Sequence, residues 1–223
     1  MKRKNFRGVI AFMVVLFARQ IAFSQGTLTY LSSLGQPSVG SAAVGEDSWV
    51  ASIFMTGGNL GGYELDSVEL AMTPASGAPS DFTVMLYSSG PEFSAVPVSR
   101  LDTLSGPTDP TTGGDYTYTA SDLTLSKGTP YFIVITAGTP VASGVYAWSY
   151  TDSAPANTMD LWQGGNALIT SSDGVSWNVT LGDGPQFAIN ATAIPEPKTF
   201  FLLVLGCLIF GWEYNRAKTQ APR

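Results

Sequence analysis

The sequence predicts an all-β body, an antiparallel β-sandwich with jelly-roll-like connections. Three observations favour this fold class. Short segments alternate apolar and polar residues with a period of two, or are rich in β-branched and aromatic residues. Clusters of Gly, Pro, Ser and Asp separate these segments, as turns do. Helical periodicity is absent outside the two termini.

The N-terminus has the pattern of a secretory signal peptide. Basic residues precede an apolar stretch from Val9 to Ala18, which is too short for a comfortable membrane span. The small residues Ala22 and Ser24 fit a cleavage site. We therefore expect a signal peptide over residues 1–24, with Gln25 as the first residue of the exported body.

The body is predicted to contain many short strands. The clearest are Trp49–Met55, Ser67–Met72, Asp81–Tyr87, Asp115–Ala120, Pro130–Ala137, Val145–Tyr150, Val175–Thr180 and Gln186–Ala193. The small-residue segment Pro74–Ser80 is predicted to be a loop. The length of residues 25–194 fits one domain with a single core.

Two of these strands also predict which side chains are buried. Phe187, Ile189 and Ala191 fall on one face of the last strand. The segment Pro130–Ala137 is apolar on both faces, which predicts a central strand that is covered on both sides. The strand order stays open between a jelly roll, which we prefer, and an immunoglobulin-like arrangement.

Charge limits the partners of the body. Between Gln25 and Ile194 only Arg100 and Lys127 are basic, against fifteen acidic residues, which gives a net charge of −13. Such a body repels nucleic acid and anionic membranes, and it attracts cations or positively charged matrix components. Nucleic-acid binding is therefore excluded.

The residue types for common catalytic sites are missing. The sequence has no histidine, and its one cysteine, Cys207, lies in the apolar C-terminal stretch, so histidine- and thiol-dependent catalysis is not expected. We expect no catalytic residues, no cofactor and no metal site. Two alternatives stay open: a glycosidase carboxylate pair drawn from Glu46, Asp47, Glu64 and Glu69, and calcium bound at Asp173 or Asp183. Asp-Gly at the latter positions is more typical of a hairpin turn.

Aromatic residues suggest carbohydrate binding as an alternative function. Flat aromatic rings can stack on sugars, and β-sandwiches offer faces that display them. The candidates are Trp49, Tyr146, Trp148, Tyr150, Trp162 and Trp177. Tyr146, Trp148 and Tyr150 alternate along one strand, which favours core packing for these three. Trp162, beside Gln163-Gly164-Gly165, is the best candidate for an exposed carbohydrate-binding ring.

The C-terminal segment, residues 195–223, combines three features. Pro195-Glu196-Pro197 is followed by an uncharged apolar run from Thr199 to Trp212 and then by basic residues. The run predicts a single transmembrane helix about 21 Å long, which is short for a hydrocarbon core of about 30 Å.

This segment resembles the PEP-CTERM sorting signal of Gram-negative bacteria that make extracellular polysaccharide. The resemblance implies a transient or retained membrane anchor and recognition by an exosortase-like membrane peptidase near Pro195–Pro197. An ordinary C-terminal membrane anchor is the alternative. The basic residues after the apolar run are sparser than is common in that family.

The body resembles the choice-of-anchor R domain, a β-rich secreted module. The matching segments are Asp47-Ser48-Trp49-Val50-Ala51, Tyr63-Glu64-Leu65-Asp66-Ser67-Val68, Phe82-Thr83-Val84, Leu86-Tyr87-Ser88, Tyr116-Thr117-Tyr118, Gly128-Thr129-Pro130-Tyr131, Ala147-Trp148, and Ser172-Asp173-Gly174 before Trp177. This resemblance implies architecture and location, and it implies no catalytic residues. The sequence as a whole predicts a non-enzymatic protein of the cell surface or extracellular matrix, associated with extracellular polysaccharide. A carbohydrate-binding module is the alternative, and a glycoside hydrolase is the third.

Overall fold

The computed structural model describes residues 26–90, 94–157 and 160–195, together with Gly206. The three ranges fold entirely into strands, turns and loops. The strands are β1 (Leu28–Ser32), β2 (Gly40–Val44), β3 (Trp49–Met55), β4 (Tyr63–Gly77), β5 (Thr83–Ser88), β6 (Ser99–Thr103), β7 (Gly114–Thr119), β8 (Thr124–Leu125), β9 (Pro130–Thr136), β10 (Gly144–Thr151), β11 (Ala156–Asn157), β12 (Gln163–Gly164), β13 (Ala167–Ser171), β14 (Asn178–Leu181), β15 (Gly184–Pro185) and β16 (Phe187–Ala193).

These strands form two antiparallel sheets, which confirms the predicted all-β class. The first sheet has nine strands, in the order β11-β1-β16-β4-β10-β15, with β2 paired to β10 and with β7 and β8 paired to β4. The second sheet has seven strands, in the order β14-β13-β3-β9-β5-β6, with β12 paired to β3. The first and the last strand of the described body therefore meet in the first sheet, where β16 lies between β1 and β4.

The main hydrophobic core contains inward-facing side chains from both sheets. The last strand contributes Phe187, Ile189 and Ala191, all fully buried, as the alternation predicted. The central position of β9 is also confirmed, because it pairs with β3 on one side and with β5 on the other. One face of β9 enters this core, whereas Phe132 and Val134 on its opposite face belong to a second hydrophobic cluster.

Several predicted boundaries are wrong: β4 begins at Tyr63 rather than Ser67, and β5 begins at Thr83 rather than Asp81. The loop expected over Pro74–Ser80 begins only after Gly77, because β4 continues through Pro74 and the Ala75 N–H donates to the Thr111 carbonyl (2.9 Å). The strand expected from Val175 begins only at Asn178. In the residues before Asn178, the backbone N–H groups of Val175 and Ser176 donate to the Asp173 carboxylate instead of to a neighbouring strand (2.8 and 2.7 Å).

Both predicted terminal segments lie outside the described residues, except for Pro195 and Gly206. This applies to the signal peptide and its cleavage residues Ala22, Ser24 and Gln25, to Glu196 and Pro197, and to the rest of the apolar run. In the part of the chain that the structure describes, no helix has the length and apolar character needed to cross a membrane.

Candidate functional site

The segment Pro195-Glu196-Pro197 begins directly after residues that are hydrogen-bonded to the body. Among the described residues, the last one with a hydrogen bond to the sandwich is Ile194, whose N–H donates to the Gly62 carbonyl (3.0 Å). The Ile194 carbonyl accepts a bond from the Asn59 side-chain amide (2.9 Å). The next residue, Pro195, is exposed. These contacts of Ile194 are called here the C-terminal clamp. They hold the chain up to the residue before Pro195.

The clamp is built on the turn that precedes β4. The Asn59 carbonyl accepts the Gly62 N–H (3.0 Å), and the Asn59 side-chain amide bonds the Gly62 carbonyl (2.6 Å). Gly62 has a φ of 77°, a conformation that glycine adopts without steric cost. The turn therefore positions the Asn59 side-chain amide to bond both the Gly62 carbonyl within the turn and the Ile194 carbonyl just after β16.

The buried side chain of Tyr63 is hydrogen-bonded to this turn. The Tyr63 hydroxyl accepts the Asn59 N–H (3.0 Å) and donates to the Asp160 carboxylate. Burial, followed by the hydrogen bond to Asp160, raises the pKa of Tyr63 to about 12. Tyr63 therefore keeps its proton at neutral pH and remains a donor to Asp160.

Trp162 lies in the core beside Tyr63. Its exposed fraction is 0 %. The ring stacks on Tyr30 and on Phe54, with centroids 4.9 and 5.9 Å away, and Tyr63 approaches it edge-on at 4.8 Å. The prediction of an exposed carbohydrate-binding ring at Trp162 is wrong. The flanking glycines indicated a loop, but Gln163 and Gly164 form the short strand β12, which pairs with β3.

The other aromatic candidates divide into buried and half-buried rings. Trp148 and Tyr146 are fully buried, and the Trp148 N–H donates to the Gln186 carbonyl (2.8 Å). The core interpretation is therefore confirmed for these two residues. Tyr150 is half-buried against the same core. Trp49 and Trp177 are half-buried on the outer side of the second sheet.

This side of the second sheet faces away from the main core, and its apolar side chains form the second hydrophobic cluster, in which Ala51, Phe132 and Val134 are fully buried. A continuous row crosses five strands in register: Val179, Ile169, Ala51, Val134 and Met85. A second row consists of Ile53, Phe132 and Tyr87. These two rows, with Trp49 and Trp177, are called here the apolar face. The double-sided apolar pattern of Pro130–Ala137 was the sequence signal for it.

Trp49 is held in place at one end of the apolar face. Its indole N–H donates to the Glu46 carbonyl (3.0 Å). Its ring lies against Gly174, where a Cβ atom would come within 3.1 Å of the ring. Gly174 has a φ of 71° in the turn between β13 and β14. The half-buried ring of Trp49 is therefore held in a fixed position.

The candidate calcium turn is organised by its own hydrogen bonds. The Asp173 carboxylate accepts bonds from Val175, Ser176 and the Ser171 hydroxyl (2.8, 2.7 and 2.8 Å). These bonds, that from Ser176 foremost, hold the pKa of Asp173 well below its usual range. Within residues 26–90, 94–157 and 160–195, no cluster of three or more acidic residues could hold a metal ion.

The four carboxylates considered for glycoside hydrolysis are divided between two places. Glu46 and Asp47 lie between β2 and β3, where Asp47 accepts the Val141 N–H (2.8 Å). Glu64 and Glu69 lie on β4. The Glu69 carboxylate accepts a bond from the Asn190 amide (2.7 Å), which also bonds the Ser67 hydroxyl (3.1 Å). Glu69 is thus part of a polar network on the first sheet.

Comparison with known proteins adds no family assignment. No protein-family model matches the sequence, and no curated protein is similar to it. The arguments about function therefore depend on the chain's own residues.

Proposed function

We propose that this chain is an exported, non-enzymatic protein of the surface or extracellular matrix of a Gram-negative bacterium, sorted through Pro195-Glu196-Pro197. In this proposal an exosortase-like membrane peptidase recognises the motif while the apolar segment after it is in the membrane. The body is then displayed among extracellular polysaccharide. We also propose that the two sheets are connected in a jelly-roll-like manner, since the first and the last strand of the described body meet in the first sheet.

The observation that carries this proposal is the position of the C-terminal clamp. A membrane peptidase needs an accessible stretch of backbone, and a motif inside β16 would be paired on both sides. Among the described residues, strand pairing ends at Ala193 and the last hydrogen bonds to the body are at Ile194. The motif therefore starts directly after these bonds, with Pro195 exposed. Its two prolines also disfavour continuation of the strand, because they lack an N–H donor.

The test compares the intact mass and membrane fractionation of the native protein with those of a variant whose Pro195, Glu196 and Pro197 are all alanine. We expect the wild type to lose its C-terminal segment and the variant to keep it. Glu196→Gln is the matched control for charge, because it leaves both prolines in place. An unprocessed, membrane-held wild type would contradict sorting and leave a plain anchor.

A second candidate function is carbohydrate binding at the apolar face. The observation that favours it is the pair of half-buried indole rings, Trp49 and Trp177, on one side of the second sheet. Such rings offer flat apolar surface at little conformational cost. Trp49 is in addition fixed by its hydrogen bond to Glu46.

For this second function we expect Trp177→Ala to weaken binding to the host's extracted extracellular polysaccharide by about tenfold, as truncation of a central aromatic contact commonly does. Co-sedimentation measures the affinity. Val39→Ala, an exposed apolar position outside the apolar face, serves as the control. Equal binding by wild type and Trp177→Ala would remove the apolar face as the sugar site.

A further inference from the structure

Three loops meet at the place where the chain leaves the body; they are residues 57–62, 126–129 and 160–162. Gly57 contacts both of the other loops, because its carbonyl accepts the Gly128 N–H (2.9 Å) and its Cα lies directly against the Asp160 carbonyl. The carbonyl of Gly62, in the first loop, accepts the Ile194 N–H of the C-terminal clamp (3.0 Å). The three loops and the clamp therefore form one end of the sandwich, called here the exit end.

Two leucines of the exit end expose most of their side chains. Leu60 is 66 % exposed and Leu161 is 77 % exposed. Leu161 also has a φ of 59°, a backbone conformation that leucine seldom adopts. Neither local backbone preference nor core packing therefore explains why apolar side chains stand at these two loop positions.

Charge distinguishes the exit end from the rest of the body. The body as a whole has a net charge of −13 and is repelled by anionic surfaces. The three loops contain one acidic residue, Asp160, and one basic residue, Lys127, so that their net charge is zero. Lys127 is exposed, whereas the Asp160 carboxylate accepts a hydrogen bond from Tyr63. Glu64 is exposed as well, but it lies on β4, outside the three loops.

The length of the chain after the clamp brings the exit end close to any membrane that holds the apolar run. That run begins at Thr199, so only residues 195–198 separate it from Ile194. Four extended residues span at most about 14 Å. With the run in the membrane, the exit end lies within that distance of the lipid, and the acidic remainder of the body is directed away from it.

We propose that Leu60 and Leu161 insert into the interfacial region of the membrane beside the anchor, while Lys127 meets lipid phosphate groups. Burial of exposed apolar side chains in this region, together with attraction between a lysine and lipid headgroups, favours such a contact. The contact holds the body end-on and keeps Pro195 at the lipid surface, where a membrane peptidase acts. It rests on the part of the proposed function that inserts the apolar run into the membrane.

The test uses the full-length protein, purified with its C-terminal segment intact and reconstituted into vesicles of phosphatidylethanolamine and phosphatidylglycerol. Cys207→Ala removes the native thiol, and Leu161→Cys then carries a fluorescent label. A nitroxide near the top of the lipid acyl chains quenches labels that lie in the interface, about 5–10 Å deep. We expect this quencher to lower the fluorescence of the label at position 161.

The matched control is a label at Val175→Cys in the same background. Val175 is 80 % exposed, as accessible as Leu161, but it lies in the turn between β13 and β14. That turn packs against Trp49 at the start of β3, whereas the exit end lies beyond Met55 at its other end, roughly 20 Å away. We expect no quenching at position 175.

A second pair of variants tests whether the leucines make the contact together. With the label at Leu60→Cys, we expect Leu161→Asp to reduce quenching by about twofold or more, because it removes apolar area from the interface. Val175→Asp should leave the same signal unchanged. Both changes are at exposed positions and leave the core intact.

Flotation of the vesicles separates the two ways in which this proposal fails. Protein that floats with the vesicles but is quenched equally at positions 161 and 175 would overturn the contact while leaving the anchor in place. Protein that does not float would remove the anchor and the contact with it. The mass comparison described for the sorting motif decides processing independently of either result.

Discussion

Replacing Trp162 with alanine should lower the free energy of unfolding by about 3–5 kcal/mol, the range seen for truncation of a large aromatic side chain in a core. The ring is fully buried and contacts Tyr30, Phe54 and Tyr63 within 6 Å between centroids. Truncation removes the buried apolar area and leaves a cavity that these three rings fill only in part. Urea unfolding of the full-length protein in mild detergent, followed by near-UV circular dichroism, measures the loss.

The control for this change is Trp177→Ala, which removes the same side chain from a half-buried position on the apolar face. We expect a loss of about 1 kcal/mol or less there, because much of the Trp177 ring already contacts solvent. Similar losses for the two variants would contradict the core position of Trp162. The comparison also shows why Trp162→Ala is unsuitable for testing sugar binding, since a loss of folded protein would imitate a loss of affinity.

Replacing Gly57 with alanine should destabilise the fold by about 3 kcal/mol or more, at the upper end of the cost of overpacking. A Cβ atom at Gly57 would collide with the Asp160 carbonyl and would lie 2.8 Å from both Trp162 Cδ1 and the Tyr63 hydroxyl. The Asp160 carbonyl belongs to the backbone, and the other two atoms belong to the buried side chains of Trp162 and Tyr63. None of the three atoms therefore moves aside easily. The expected result is a lower urea midpoint with an unchanged m-value.

The neighbouring glycine provides a matched control. A Cβ atom at Gly58 would meet only the Asp160 carboxylate, at 3.8 Å, which is an ordinary contact. We therefore expect Gly58→Ala to change the free energy of unfolding by less than about 1 kcal/mol, with either sign. If Gly57→Ala were as stable as Gly58→Ala, the close packing of the Gly57 backbone against Asp160 would be wrong.

Side-chain alternation predicted the parts of the fold that depend on local pattern. The strand Trp49–Met55 has the predicted bounds, and β9 is central because its segment is apolar on both faces. The burial of Phe187, Ile189 and Ala191 follows from a period of two along an extended chain. At these positions the strand and the burial of its side chains could be predicted from the residues next to them along the chain.

Other features depend on contacts between distant segments. Pro74 lies in a run of small residues that favours a loop, yet β4 continues through it because the backbone near Thr111 provides a hydrogen-bond partner. Trp162 follows Asp160 and Leu161, both with φ values in the left-handed region. No local pattern indicated that this turn would direct the ring inward between Tyr30 and Phe54.

The position of β16 before the C-terminal clamp also affects how the body responds to a mechanical pull at this end. A pull applied to the chain at residue 195 acts along β16, which lies between β1 and β4. Hydrogen bonds between antiparallel strands run perpendicular to the strands, so a lengthwise pull shears both rows of bonds together rather than opening them one at a time. A pull at this end of the body would therefore load both rows of hydrogen bonds of β16 at the same time.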